Sequence, residues 1–373
     1  MTIRYIRVNP VSNLFAPPVR AYGNVAIVGT VAPPATPPAD ILTVGDLAVF
    51  TDPSEARRRA PGALGAAVAM AFAQSPGPNQ VTAVCVDRTT PDWQAGLDAL
   101  GTRDVQIVAL ADVPLDTTSA TGAISRLVDH VISVSQTGAD GKERIGVAML
   151  DRDATDPTIV AGGLASDRMV YVAHKSDEDA AAAVAGTIAG YQPHVSMLLK
   201  QVNIDSGPFS AAEIDQINGS EAFGTGPAGQ GVNWLVDLAL IPGGAVHLGE
   251  GYTGNPGGGK KFIDIVRTID SVSFLLKAQL IKSVGNVRIS RTGLRALVAR
   301  MEAVLEPLMR DGVIGGFQIT MPILNLLDKP PATLSASELG QINDAQAQRV
   351  VQVLAQIDYE GAIHRLDVTL QFE

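Results

Sequence analysis

Cysteine is all but absent from this chain. Cys85 is the single one in 373 residues, so no intrachain disulfide can form. It sits in the apolar run VTAVCVD and reads as a small buried hydrophobe rather than a nucleophile. No run of about 18 apolar residues occurs, so no transmembrane helix and no membrane insertion are expected. The opening MTIRYIRVNP lacks an apolar stretch of signal-peptide length, and synthesis in a cytoplasm is the expectation. Positive charge is also short. The net charge of −10 argues against nucleic acid as a direct partner, which would select a basic surface. At 46% hydrophobic and 18% charged, the chain is too apolar to stay disordered. Its length suggests two or three domains.

Catalytic signatures are missing too. Gly23 and Gly29 do not make GxGxxG, and neither GxxxxGK[ST] nor GxSxG occurs. The histidines, His130, His174, His194, His247 and His364, show no i, i+4 metal spacing, and each reads as a surface or satisfied core residue. Asp151 with Asp153, and the run Asp177–Asp179, read as a strand-end turn and a helix start. No catalytic residue, metal site or cofactor is therefore expected. The alternative is a soluble α/β enzyme that binds a small anion near the Gly-rich loop 254–259, although GNPGGGKK does not complete the P-loop pattern GxxxxGK[ST].

What is present is an α/β rhythm. NVAIVGT, VTAVCVD, VQIVALA, RIGVAMLD and MVYVAHK are short continuous apolar runs, as strands buried on both faces require. Helical stretches at 62–74, 91–100, 118–136, 155–163 and 176–191 separate them. This alternation predicts an α/β fold with a layered, mostly parallel sheet. Residues 203–259 are rich in Gly, Pro, Asn and Ser and read as long loops with one or two strands, WLVDLAL and AVHLG. Helices are expected at 262–284 and 291–311, then the strand GGFQITMPI, a breaker-rich loop, and strands at 349–358 and 363–372.

Two segments alternate without an obvious sheet of their own. One is TIRYIRV, with Ile3, Tyr5, Ile6 and Val8. The other is IHRLDVTLQF, with Leu366, Val368 and Leu370. A lone strand cannot satisfy its backbone hydrogen bonds, so each either edges its own domain or joins a neighbour's sheet. Residues 260–300 carry nine basic side chains (Lys260, Lys261, Arg267, Lys277, Lys282, Arg288, Arg291, Arg295 and Arg300) against Asp264 and Asp270. Either this is a solvated helix face or it docks an acidic partner. Helical spacing puts Val266, Ile269, Val272, Leu276 and Leu280 on a face expected to be buried. Arg267 then reads as partly structural, and Lys277 and Lys282 as the exposed docking candidates.

The order of segments resembles the phage contractile tail sheath family, which includes sheaths of R-type pyocins and of contractile injection systems. VRAYGNVAIVGTV, a Pro-rich loop and ILTVGDLAVFTDPSEA look like its opening. DEDAAAAVAGTIAGYQPHVSMLLKQV resembles its helix leading to a Pro-containing turn. AVHLGEGYTGNPGGGKKFIDIVRTIDSVSFLLKAQL resembles its strand, Thr-containing turn and long helix, with Glu250 and Tyr252 where the family often has Arg and Trp. The resemblance implies a subtilisin-like body without proteolysis at 21–248, an N-terminal arm at 1–20, and an α+β assembly domain at 249–373 ending in a C-terminal arm strand. It further implies a helical homopolymer around an inner tail tube protein, held extended and metastable until a baseplate triggers contraction that drives the tube through a target envelope. The implied partners are other copies, the tube, the baseplate and a tail terminator. The implied location is a virion tail or contractile particle, assembled in a host cytoplasm.

Overall fold

The computed structural model describes residues 21–115, 121–136, 141–221, 229–238, 240 and 245–366. They form two compact units, Ala21–Ser271 with the segment from Gly361, and Val272–Glu360. The division falls inside one helix, later than the boundary expected at 248/249. The strand–turn–helix stretch after Leu248 belongs with the larger unit.

The larger unit contains β1 (Val25–Thr30), β2 (Leu47–Phe50), α1 (Pro53–Arg59), α2 (Ala63–Phe72), β3 (Val81–Val86), α3 (Trp93–Asp98) and β4 (Ile107–Leu115). It continues through α4 (Thr121–Gln136), β5 (Ile145–Leu150), β6 (Met169–Ala173), α5 (Ala180–Gly190) and β7 (Gln201–Val202). Then come α6 (Ala211–Asn218), β8 (Val232–Asp237), β9 (Val246–Leu248) and the first part of α7 (Ile263–Leu280). The strands form one nine-stranded sheet in the order β2-β3-β1-β4-β5-β6-β8-β9-β7. From β3 to β8 the neighbours are parallel, and β2, β9 and β7 pair antiparallel at the margins.

The apolar runs are continuous because both faces are covered. Val25 and Ile27 enter one core layer with α2 and α5, while Ala26 and Val28 enter the other with α3, α4 and α6. Alternation along each strand thus divides its side chains between two helical layers. Helix α5 is buried from Ala180 to Ala189, which explains its small residues. At Gly186 a Cβ would lie 2.4 Å from the Ala71 carbonyl oxygen, so α2 and α5 meet backbone to backbone. Cys85 is buried on β3, where desolvation pushes its thiol pKa up and leaves it inert.

The smaller unit holds the end of α7, α8 (Arg291–Arg310), β10 (Gly316–Thr320), α9 (Pro322–Leu327), α10 (Ala336–Gln348) and β11 (Leu354–Asp358). Its core gathers Val272, Leu305 and Ile314, and beside them Leu294, Met301 and Met321.

Several elements depart from the sequence reading. Helices α6 and α10 occupy stretches expected to be loop. Each starts with a capping box, Ser210 with Glu213 and Ser335 with Glu338, so the S-x-x-E signal was present at both places. Helix α1, capped by Asp52, and the short α9 were likewise not foreseen. The helix expected over 155–163 is two single 3-10 turns, Pro157–Ile159 and Gly162–Leu164. The strand expected at 349–358 begins at Leu354, and residues 363–366 of the one expected at 363–372 are not extended in a ladder. The helix expected to reach 284 ends at Leu280 and is followed by a 3-10 turn, Ile281–Ser283.

Candidate functional site

In an open α/β sheet, small ligands bind beyond the carboxyl ends of the parallel strands. Here that region holds a cleft of about 570 Å³ whose charged lining is Arg57, Asp112, Asp177, Glu178, Asp179 and Asp205. Its best-placed carboxylate serves the backbone. Asp179 caps α5 by accepting from Ala182 N at 2.8 Å, and it accepts from Asp112 N at 2.8 Å. Burial pushes its pKa up to about 6. Arg152 pairs with Asp177. The nearby His174 contacts the Leu150 carbonyl through Nε2 at 3.1 Å and accepts from Ser176 N through Nδ1 at 3.2 Å, which commits both ring nitrogens to backbone. His130 accepts from Arg144 at 3.1 Å, and burial holds its pKa down to about 4, so its imidazole is neutral. Among the described residues no three His, Cys, Asp or Glu side chains are grouped to hold a metal ion.

The Gly-rich loop is flanked by a polar hollow of about 340 Å³ that includes Arg168, Asn255 and Lys260. Its cations face carboxylates already. Lys260 lies 3.5 Å from Asp167, and Arg168 pairs with the buried Asp270. An anion would have to displace both, so the geometry gives the anion-binding alternative no support.

The basic stretch 260–300 does not form one face. Arg267 is buried, Arg291 and Arg295 pair with Asp328 at 2.5 and 3.1 Å, and Arg300 bonds to Ser283. The count along the sequence missed Asp328 because it arrives from α9's end through the fold. Lys277 is half-buried on α7, whereas Lys282 is exposed in the turn Ile281–Ser283. Lys282 stands between two exposed aliphatics, Ile281 (67%) and Val284 (74%). Ile269, expected inside, is 41% exposed, while Val266 and Val272 are buried.

In the smaller unit, β10 and β11 make a two-stranded antiparallel sheet with Phe317 opposite Ile357 and Ile319 opposite Ala355. Those side chains face the core, and Gln318 and Gln356 face away from it. Among the described residues no further strand pairs with either edge. A two-stranded sheet is marginal by itself, and its bare edges are templates for strand addition.

The segment after Gly361 is seated on the larger unit by charge. Glu250, fully buried just after β9, receives His364 Nδ1 at 3.0 Å on one oxygen and Arg365 Nη1 at 3.1 Å on the other. Arg365 also forks onto Glu221, Nε and Nη2 each at 2.9 Å, and these carboxylates push its pKa up. His364 Nε2 meets Ser196 Oγ at 3.0 Å, and its ring lies 4.6 Å from that of Phe262, which stacks on Tyr252. The sequence held a hint of this cluster in a lone carboxylate between glycines, LGEGYTG. Beyond it Leu366 is 75% exposed. Ile3, Tyr5, Ile6, Val8, Val368 and Leu370 lie outside the described residues.

No protein-family model matches the sequence, and no curated protein matches it. Solved structures do match the fold along its whole length. A chain of the anti-feeding prophage baseplate, 6-fold symmetrised, aligns with TM-score 0.66 at 12% identity, covering 100% of this chain and 99% of that one. A chain of the anti-feeding prophage helical sheath in the contracted state aligns with TM-score 0.64 at 11% identity, covering 100% and 99%. A chain of the sheath complex of an extracellular contractile injection system, PVC, also in the contracted state, aligns with TM-score 0.68 at 10% identity, covering 100% and 98%. The chain thus has the fold of chains found in contractile sheath and baseplate assemblies.

Proposed function

We propose that this chain is the structural subunit of a contractile sheath, polymerising helically around an inner tube in a metastable extended state. The observation that carries this reading is the two-stranded sheet β10–β11, whose outer edges carry no further strand among the described residues. The chain also supplies two alternating segments, around Ile3–Val8 and Leu366–Leu370, suited to such edges. Full-length likeness to sheath chains at both coverages supports the same conclusion. Strand addition gives main-chain hydrogen bonds that hold neighbours while their bodies move. The contacts are heterologous and non-closing, as a helical tube needs. A baseplate signal releases the lattice into a contracted arrangement with more buried surface, a switch between two packings of the same interfaces. The energy is stored at assembly, so no nucleotide or cofactor takes part and the chain is not an enzyme.

In this reading the larger unit is a subtilisin-like layered body used as a scaffold, and the smaller one, with the terminal strands, is the assembly domain. Lys277 and Lys282 face the tube. The exposed Ile281 and Val284 beside Lys282 add a small apolar contact to that dock. Baseplate and terminator proteins cap the two ends of the polymer, which is part of a virion tail or related particle assembled in a host cytoplasm. Negative-stain electron microscopy of the purified chain, alone and with the tube protein, tests this reading. Long hollow tubes are expected. A compact particle under every condition contradicts it.

A further inference from the structure

We infer that the stretch Val246–Ser271 is a common anchor for both terminal segments, with Glu250 fixing residues 361–366 and Arg267 fixing residues 21–23. Its mechanical meaning rests on the sheath reading, but the anchorage does not.

The two ends are held by a similar device, a buried charge that engages the entering segment, through its side chains at one end and through its backbone at the other. Both oxygens of Glu250 are taken by His364 and Arg365, neighbours in the returning segment. Without that segment a fully buried carboxylate would lose both partners. Arg267 is its counterpart. It is buried on α7, and Nη2 donates to the Tyr22 carbonyl at 3.3 Å and to the Tyr191 carbonyl, at the end of α5, at 2.9 Å. Next to Tyr22, a Cβ on Gly23 would lie 2.2 Å from the Ala189 oxygen, so the incoming backbone is pressed onto α5 as closely as glycine allows. The other guanidinium nitrogen, Nη1, is buried with no partner, and desolvation pushes the Arg267 pKa down to about 10. An apolar residue would pack there without that cost. A charge kept under such terms marks a position that has to be held.

The anchor is itself stiff. Tyr252 bridges Phe262, Ile263 N donates to the Gly251 carbonyl at 2.9 Å, and Thr253 N donates to the Lys261 carbonyl at 2.9 Å, so the neck of the Gly-rich loop is closed. Asn233 ties it to the sheet. Its side chain donates to the Tyr171 and Tyr252 carbonyls at 3.0 and 2.9 Å and accepts from Tyr252 N at 2.7 Å. Tension on either terminal strand in a polymer therefore enters one block and passes to the central strands β6 and β8.

Site-resolved proteolysis of the full-length chain tests the anchorage. Trypsin cleavage after Arg365 and chymotrypsin cleavage after Tyr22 are followed by mass spectrometry in wild type, Glu250→Gln and Arg267→Met. Loss of charge-assisted hydrogen bonds at one end should accelerate cleavage at that end by at least about tenfold. Glu250→Gln is expected to speed cleavage after Arg365 and leave Tyr22 unchanged, and Arg267→Met to do the reverse. Wild-type rates at both sites in folded variants, or equal acceleration at both, would overturn the inference. If Glu250→Gln does not fold, Arg365→Lys, which loses the fork onto Glu221, should show the same selectivity, and its absence there is equally fatal. The assay needs no polymer, so a chain that cleaves as expected but never forms tubes refutes the sheath reading and leaves the anchor standing.

Discussion

Replacing Asn233 is expected to damage the larger unit severely. Asn233 is fully buried on β8 and makes three hydrogen bonds, to Tyr171 O, to Tyr252 O and from Tyr252 N. Each contributes about 0.5–1.5 kcal/mol net, and Asn233→Ala also strands a buried N–H and two buried carbonyls. Non-additivity limits the sum, so the expected loss is about 3–5 kcal/mol. For a unit of this size that lowers the melting temperature by roughly 10 °C. Asn233→Asp is the sharper variant. It keeps the shape and the acceptor for Tyr252 N, but it turns a donor into an oxygen facing two carbonyls. It should be at least as damaging as alanine near neutral pH and recover partly in acid, where a protonated carboxyl can donate again. Calorimetry and urea unfolding at pH 5 and 7.5 measure this. A loss below about 1 kcal/mol for alanine, or an aspartate variant indifferent to pH, would refute the three-bond reasoning.

Removal of residues 1–13 should leave thermal unfolding unchanged and abolish polymer formation; normal polymers from the truncated chain would remove the donated strand from the account. The pair Lys277→Glu with Lys282→Glu should weaken assembly on the tube and invert its salt response. Each exposed ion pair is worth about 0–1 kcal/mol, so the effect arises from repetition along the tube; an unchanged salt response takes these lysines out of the interface. His130, with its pKa held down to about 4, is neutral when folded and protonates more readily when unfolded. Its contribution is therefore complete above about pH 6.5 and lost as pH falls through 4, about 3 kcal/mol in all. Urea midpoints of wild type and His130→Gln across that range should converge in acid, and parallel curves would contradict the assignment.

The sheet was legible because its strands are buried on both sides, and a continuous apolar run flanked by turn residues has few other solutions. Helix α5 was legible from its acidic start and α8 from its length. Helices α6 and α10 escaped because their polar faces dominate. Their capping boxes, Ser210–Glu213 and Ser335–Glu338, were the readable sign. The charged face at 260–300 was over-read for a different reason. Asp328 and Asp167 neutralise parts of it from distant sequence positions. Beyond the lone carboxylate of LGEGYTG, the cluster of Glu250, His364 and Arg365 was hidden for the same cause, since its members are joined over more than a hundred residues. Sequence periodicity reports burial along one element, and it carries no record of which charges meet across elements.

The most direct test of the central claim is a cryo-EM reconstruction of the polymer formed by the full-length chain. The account predicts a hollow helical tube in which β10–β11 is widened by strands from neighbouring copies, one including Ile3–Val8 and one including Leu366–Leu370. A tube in which both edges of β10–β11 stay bare would contradict it, as would a chain that forms no helical polymer with or without its tube.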